Sequence, residues 1–369
     1  MKKAVKIAVT IIIFIAAVFF GSTEAYAVDF GTDELYDALP DESREYFEGK
    51  NITPENNGFS EISITDIIKD LADIVTDNIE KPGKMLVSLI GIILLTSLFS
   101  ALRADSTNRS YDRTLSLVSS LCVTIIVSVY LSDSLTLISS VLSSSSNFML
   151  TYIPILAGVM AAEGQASSAA VFSSVMIIGI EIMSQATTGV LLPFLSTVLG
   201  ISAAGGINPD LKLEKLTDGI KKVVIWLLGL IMTLFIGILS LQSSISVSTD
   251  SVALKAVRFA VSSSVPFVGS AVSDALAAVK TSVQLIKSGI GSFGIIAGAS
   301  ILLPTLINTL IYKFFLFIGR TIGDIFGNDN VTNMIKSGEN VMSIIFAIIS
   351  CFFVFITVST ALVLIICRN

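Results

Sequence analysis

Long apolar runs with short polar breaks set the pattern of this chain. Lys2, Lys3 and Lys6 precede an apolar stretch from Ile7 to Phe20, and Ala25-Tyr26-Ala27 comes after it. Basic, apolar and small-x-small segments in that order predict a secretory signal cleaved after Ala27. An uncleaved anchor is the alternative, and either one places residue 28 onward outside the cytoplasm. Within the polar stretch 28–84, Ile64, Ile67, Ile68, Leu71, Ile74, Val75 and Ile79 recur at helical spacing. They predict an amphipathic helix over about 62–80, with Ser63 or Thr65 to cap it and Pro82-Gly83 to end it. Such a helix either docks on a partner or covers the first span.

Crossing a hydrocarbon core about 30 Å thick takes roughly 20 apolar residues in a helix. The runs near that length are 85–102, 114–131, 148–162, 169–184, 187–204, 223–241, 289–312 and 341–366. Two of them, 148–162 and 169–184, are short and joined only around Glu163-Gly164-Gln165, which predicts a hairpin of interrupted helices. Positive residues mark cytoplasmic loops: Arg103, Arg109 and Arg113 in the first, Lys212, Lys215, Lys221 and Lys222 in the next, then Lys313, Arg320 and Lys336. The loop 132–147, with no Lys or Arg, falls outside.

The proline-marked stretches repeat. Pro154 and Pro266 are 112 residues apart, and Pro193 and Pro304 are 111 apart. Under the charge pattern both copies begin and end inside, so the expected repeat is parallel. The predicted architecture is an all-α polytopic membrane protein with a parallel internal repeat and interrupted outer hairpins at 148–184 and 256–287. Its divisions are a signal peptide at 1–27, an exported segment at 28–84, a first span and loop at 85–112, repeats at 113–206 and 222–317, and a final span at 341–366.

Composition narrows the chemistry. Of 369 residues, 53% are hydrophobic and 14% charged, against about 25% charged in soluble domains. Histidine is absent, which removes imidazole acid–base catalysis, imidazole metal sites and imidazole proton relays. Cys122, Cys351 and Cys367 lie in apolar runs without paired spacing. No nucleotide-binding loop or nucleophile–base arrangement appears, so no enzymatic activity, metal or cofactor is expected. Residues 28–84 hold 15 Asp or Glu against 5 Lys or Arg, which argues against nucleic acid or anionic headgroups as partners of that segment.

The candidate pore or partner-surface positions are Pro154, Glu163, Glu181, Pro266 and Asp274. A proline frees a carbonyl in the preceding turn, leaving either a kink or an unwound stretch along a path. Glu163 and Asp274 come 9 and 8 residues after Pro154 and Pro266; a shared acid at each hairpin would line a pore mouth or stand as a solvated loop charge. Glu181 sits inside an apolar run, where an acid faces protein or water.

The stretch from Ser251 to Ala260, Val265-Pro266-Phe267-Val268-Gly269 and Ser273-Asp274-Ala275 resembles the stage III sporulation protein AE family, as do Gly237–Gln242 and Gly319–Asp324. The resemblance covers nearly the whole chain, although residues 1–84 match only in kind. It implies a multipass protein of the mother-cell membrane around the forespore in endospore-forming bacteria. It also implies partners among the other stage III sporulation A-operon proteins and, through the complex, stage II sporulation protein Q. The implied role is a channel or export-gate subunit, with no catalytic residues to carry over. A stand-alone permease or secondary transporter for a small solute is the alternative.

Amino-terminal sequencing of the membrane-inserted protein is expected to begin at Val28. A start at Met1 would replace the cleaved signal with an anchor.

Overall fold

The computed structural model describes residues 32–50, 52–53, 64–102, 109–205, 213–264 and 269–366. Helices make up the regular structure there: α1 (Thr32–Asp37), α2 (Asp41–Gly49), α3 (Ile64–Asn78), α4 (Glu80–Ala101), α5 (Arg109–Ala162), α6 (Ala166–Ser184), α7 (Leu192–Gly205), α8 (Leu213–Ser264), α9 (Gly269–Ile325) and α10 (Asp329–Ile366). A π-helical segment, Gln185–Leu191, joins α6 to α7. Among the described residues, six helical stretches are long and apolar enough to cross a membrane: Glu80–Ala101, Thr114–Ala162, Ala166–Val198, Lys215–Leu241, Gly289–Ile325 and Asp329–Ala361. The chain is an all-α, multi-pass membrane protein.

Eight apolar runs become six because two expected breaks are helical. Residues 132–147, read from sequence as an outer loop, lie inside α5. Three of their hydroxyls bond the carbonyl four residues back: Ser134 Oγ to Tyr130 O (3.0 Å), Thr136 Oγ1 to Ser132 O (3.1 Å) and Ser146 Oγ to Leu142 O (2.9 Å). Leu131, Leu135, Ile138 and Leu142 meanwhile bury one face, so a serine-rich stretch continues the helix. Residues 148–162 therefore prolong the direction of 114–131 instead of doubling back. At 54 residues, α5 extends for about 80 Å. The chain reverses at Glu163-Gly164-Gln165, where Gly164 has φ 84°. There Gln165 N–H donates to Met160 O and Gly164 N–H to Ala161 O, a glycine-dependent helix stop. Gly327 (φ 69°) ends α9 in the same way, with Asn328 N–H bonded to Gly323 O.

The last helix is the hub. Its most apolar window is 67% buried and that of α9 is 61% buried, against 22% for α4 and 28% for α8. Around it α5 and α8 run parallel to α10, while α9 runs antiparallel, with α4 alongside α9. Close approach rests on glycines. A Cβ on Gly298 would fall 2.8 Å from Ile356 Cγ2, one on Gly338 2.7 Å from Val127 Cγ1, and one on Gly294 2.3 Å from the Tyr152 ring. Small residues that let helices approach supply the packing that holds membrane helices together. Tyr152 is fully buried, stacks on Phe148 (5.7 Å between centroids) and reaches Thr360 Oγ1 at 3.4 Å.

The segment before the spans folds onto this bundle. Leu35, Phe47 and Ile52 are buried, and Phe47 meets Phe293 edge-on at 5.0 Å. Helix α2 is clipped to α3 where Lys50 Nζ pairs with Asp70, which also accepts from Tyr46 Oη at 2.9 Å. Burial pulls the Lys50 ammonium down, but bonding to Asp70 and Tyr46 outweighs it and holds the group above its ordinary range. Being raised, it supports the clip below the ordinary lysine pKa, and that support is lost as pH climbs through the raised value.

Gly294→Ala drives a methyl into the Tyr152 ring and is expected to destabilise the protein by about 1–3 kcal/mol. Gly158→Ala, in open space on α5, should be neutral or stabilising by up to about 1 kcal/mol. Thermal unfolding in detergent compares the two, and equal effects would contradict the close approach.

Candidate functional site

Three of the candidate spans carry charged side chains that meet one another. From α8 come Thr217, Asp218 and Lys221, from α9 Lys313 and Arg320, and from α10 Lys336, Ser337, Glu339 and Asn340. Asn340 is 3% exposed and joins the set. Its Nδ2 donates to Asp218 Oδ1 at 2.8 Å and to Thr217 Oγ1 at 3.3 Å, and its Oδ1 accepts from Lys221 Nζ at 3.2 Å. Thr217 Oγ1 lies 3.5 Å from Ser337 Oγ. Lys336 Nζ is 3.5 Å from Asp218 Oδ2. Across the α9–α10 hairpin, Arg320 Nη1 pairs with Glu339 Oε2 at 2.9 Å. The charged ends of Lys313 and Arg320 lie over the rings of Phe346 (5.8 Å) and Phe317 (5.3 Å).

Local sequence explains the convergence. Thr217 and Lys221 are one turn apart on α8, as are Lys336 and Asn340 on α10, so each pair shares a helix face. Parallel packing of α8 on α10 then sets those two faces together. The antiparallel hairpin through Gly327 brings Arg320 beside Glu339. Charges in apolar surroundings are expensive unless paired and hydrogen-bonded, and this network pairs them across three helices. It can tie the helices, and it can open only by breaking named polar contacts. Among the described residues no three of Cys, Asp and Glu come together in a way that would hold a metal ion.

The positions expected from sequence are dispersed. Pro154 lies on the exposed face of α5, which continues through it. Glu163 is buried, at 4% exposure, in the α5–α6 turn. Glu181, 18 residues further along, is exposed between Ile178 and Ile182, its Oε1 accepting from Gln185 Nε2 at 3.1 Å. It faces outward because Gly179, on the opposite side, meets Phe235 and Phe355 while Ile180 is buried. Pro266 lies outside the described residues. Asp274 is in the first turns of α9, with its side chain outside the description. Nothing in the sequence pattern alone singled out the network. Lys221, Arg320 and Lys336 served there only as markers of orientation, and Asp218, Glu339 and Asn340, one turn or less from a cation, went unused. Opposite charges one turn apart at the ends of apolar runs were the available signal.

A family model described as stage III sporulation protein AE matches residues 49–367. A curated relative, the stage III sporulation protein AE of Bacillus subtilis (strain 168), is 24% identical over 245 residues. That match covers 65% of this chain and 60% of the relative, so the chain spans about three-fifths of that protein's length. No solved structure matches the chain.

Asn340→Leu removes a partner from Asp218, Lys221 and Thr217 at once and is expected to destabilise by about 2 kcal/mol. Thr217→Val loses the longer bonds to Ser337 and Asn340 and leaves the Asn340 contacts with Asp218 and Lys221 in place, so it should cost about 1 kcal/mol. Unfolding of the two variants in detergent ranks them; the reverse order would remove Asn340 from the centre of the network.

Proposed function

The chain belongs to the stage III sporulation protein AE family, and from that premise we propose that it is a channel or export-gate-like subunit of the complex that joins mother cell and forespore. It sits in the mother-cell membrane around the forespore, with its N-terminal segment outside the cytoplasm. Its partners are the other stage III sporulation A-operon proteins and, through the complex, stage II sporulation protein Q. The role is non-enzymatic and needs no cofactor.

One observation supports the gate part of this reading most. The network of Asp218, Lys221, Arg320, Lys336, Glu339 and Asn340 lies within three candidate spans. Ionisable groups that meet at the ends of apolar spans face protein or water, and such groups are candidates for a solute or proton path. A gate needs a contact strong enough to hold it shut and specific enough to reform. A half-buried Arg320–Glu339 pair with a neighbouring amide hub has that character, because breaking one partner leaves the other charge stranded. The N-terminal helices cap the far end of the same bundle through Phe47 and Phe293, which suits a subunit that meets partners on that side.

Charge reversal tests the reading. Arg320→Glu alone opposes Glu339 and is expected to lower the yield of heat-resistant spores on the order of a hundredfold, the factor that corresponds to about 3 kcal/mol. The swap Arg320→Glu with Glu339→Arg should restore much of it. Passage of a small dye from mother cell to forespore should fall and recover in parallel. Spore loss with unaltered passage would refute the gate. Solute uptake by the purified chain alone in liposomes would favour a stand-alone permease instead.

A further inference from the structure

The exposed face of α5 changes character along its length. From Val118 to Val129 it shows Val118, Ile125 and Val129; from Ser132 to Asn147 it shows Ser132, Asp133, Thr136, Ser140, Ser143 and Asn147, with Leu137 as the apolar exception, before Leu150 makes it apolar again. Contacts with the central helix fix how high this polar face stands. Val127 packs on Gly338, and Tyr152 reaches Thr360. Residues 132–147 therefore run beside about 342–356 of α10.

Helix α8 is registered against α10 in the same way. Thr217 meets Ser337, and Phe235 stacks on Phe355 at 4.3 Å. Residues 223–236 of α8 thus stand at the height of α5 132–147. There α8 exposes Val223, Trp226 (67%), Leu227, Leu230 and Leu234, a face that only lipid or protein suits. At one height, then, one flank of the bundle is apolar and the other polar. Helix α4 extends the trend downward: Val87, Leu94, Leu95 and Leu98 are exposed beside the α9–α10 turn, where Leu89 touches Gly319 and Asn328 bonds Ser97 Oγ at 3.0 Å.

We propose that the bilayer meets this bundle obliquely, so that the Ser132–Asn147 face of α5 is in water at the height where α8 223–236 is in lipid. An Asp or other charge placed at the centre of the hydrocarbon costs about 2.5–3.5 kcal/mol, and a slab perpendicular to the bundle and centred on α8 223–236 would put Asp133 and the hydroxyl-rich face up to Asn147 inside the hydrocarbon. An inclined slab keeps the exposed apolar positions of α4, the first half of α5 and α8 in lipid together. The polar face then forms one wall of an aqueous recess whose lower end, at Ser132, is about one turn from the height of Asn340. The proposal concerns solvent at this face and holds whether or not the chain conducts anything.

Cysteine accessibility in open membrane fragments tests it. In the full chain with Cys122, Cys351 and Cys367 changed to Ser, single substitutions Ser140→Cys and Ser143→Cys report on α5, and Leu230→Cys and Leu234→Cys on α8 at the same height. A charged methanethiosulfonate reacts with thiolate, which forms in water and not in lipid, so the α5 positions should label at least about tenfold faster than the α8 positions. Labelling after SDS gives the total for each variant. Equal protection at all four positions would overturn the proposal, and so would equal labelling. Because the readout is labelling and not spore yield or dye passage, its failure is separable from failure of the channel reading.

Discussion

The approach of α9 to α10 is the constraint on which the rest depends. Membrane helices gain little from hydrophobicity against one another, because lipid is as apolar as they are, and they associate by fit. Gly298 faces Ile356, Gly323 faces Thr332, and Gly338 of α10 receives Val127 of α5. Each glycine brings a neighbour's side chain to where its own would have been. The two most buried spans are therefore also the ones with the closest contacts, and α5 and α8 take their heights from α10. The polar network and the two-sided exposure of the bundle both depend on those heights.

The network adds specificity to that fit. Dispersion contacts tolerate sliding by a turn, whereas Asn340 reaches Asp218, Thr217 and Lys221 in one register only. Arg320 and Glu339 fix the hairpin in the same way. Such pairs contribute less to net stability than to choosing one arrangement, since desolvation offsets much of the attraction. That balance leaves one arrangement defined without making it too deep to leave.

Much of the fold was legible in the sequence, because span length and helix stops are local. Glu163-Gly164-Gln165 marks a reversal in one dimension as in three, and Gly164 takes the positive φ that the position needs. The stretch 132–147 was misread because polarity was taken for a loop. Ser134, Thr136 and Ser146 bond the preceding turn, and hydropathy cannot see the burial of Leu135, Ile138 and Leu142 between them. The candidate site was less legible for a different reason. The contacts of Asn340 with α8 join residues 119 to 123 apart, and nothing local pairs Lys221 with Asn340. Counting Lys221, Arg320 and Lys336 toward orientation used their sign and ignored their neighbours.

The π-helical segment Gln185–Leu191 sets the rotational phase of α7. Leu192 N–H bonds Thr187 O, five residues back, just before Pro193, which has no N–H to offer. One residue more than an α-turn rotates the continuing helix by about 100° relative to an uninterrupted one. The bulge thus decides which side of α7 turns inward, where Leu192, Leu195 and Val198 are buried, and which turns out, where Pro193, Phe194 and Thr197 are exposed. A chain shortened by that one residue would hold the same spans and nearly the same composition, yet meet the hub with α7 turned by about 100°.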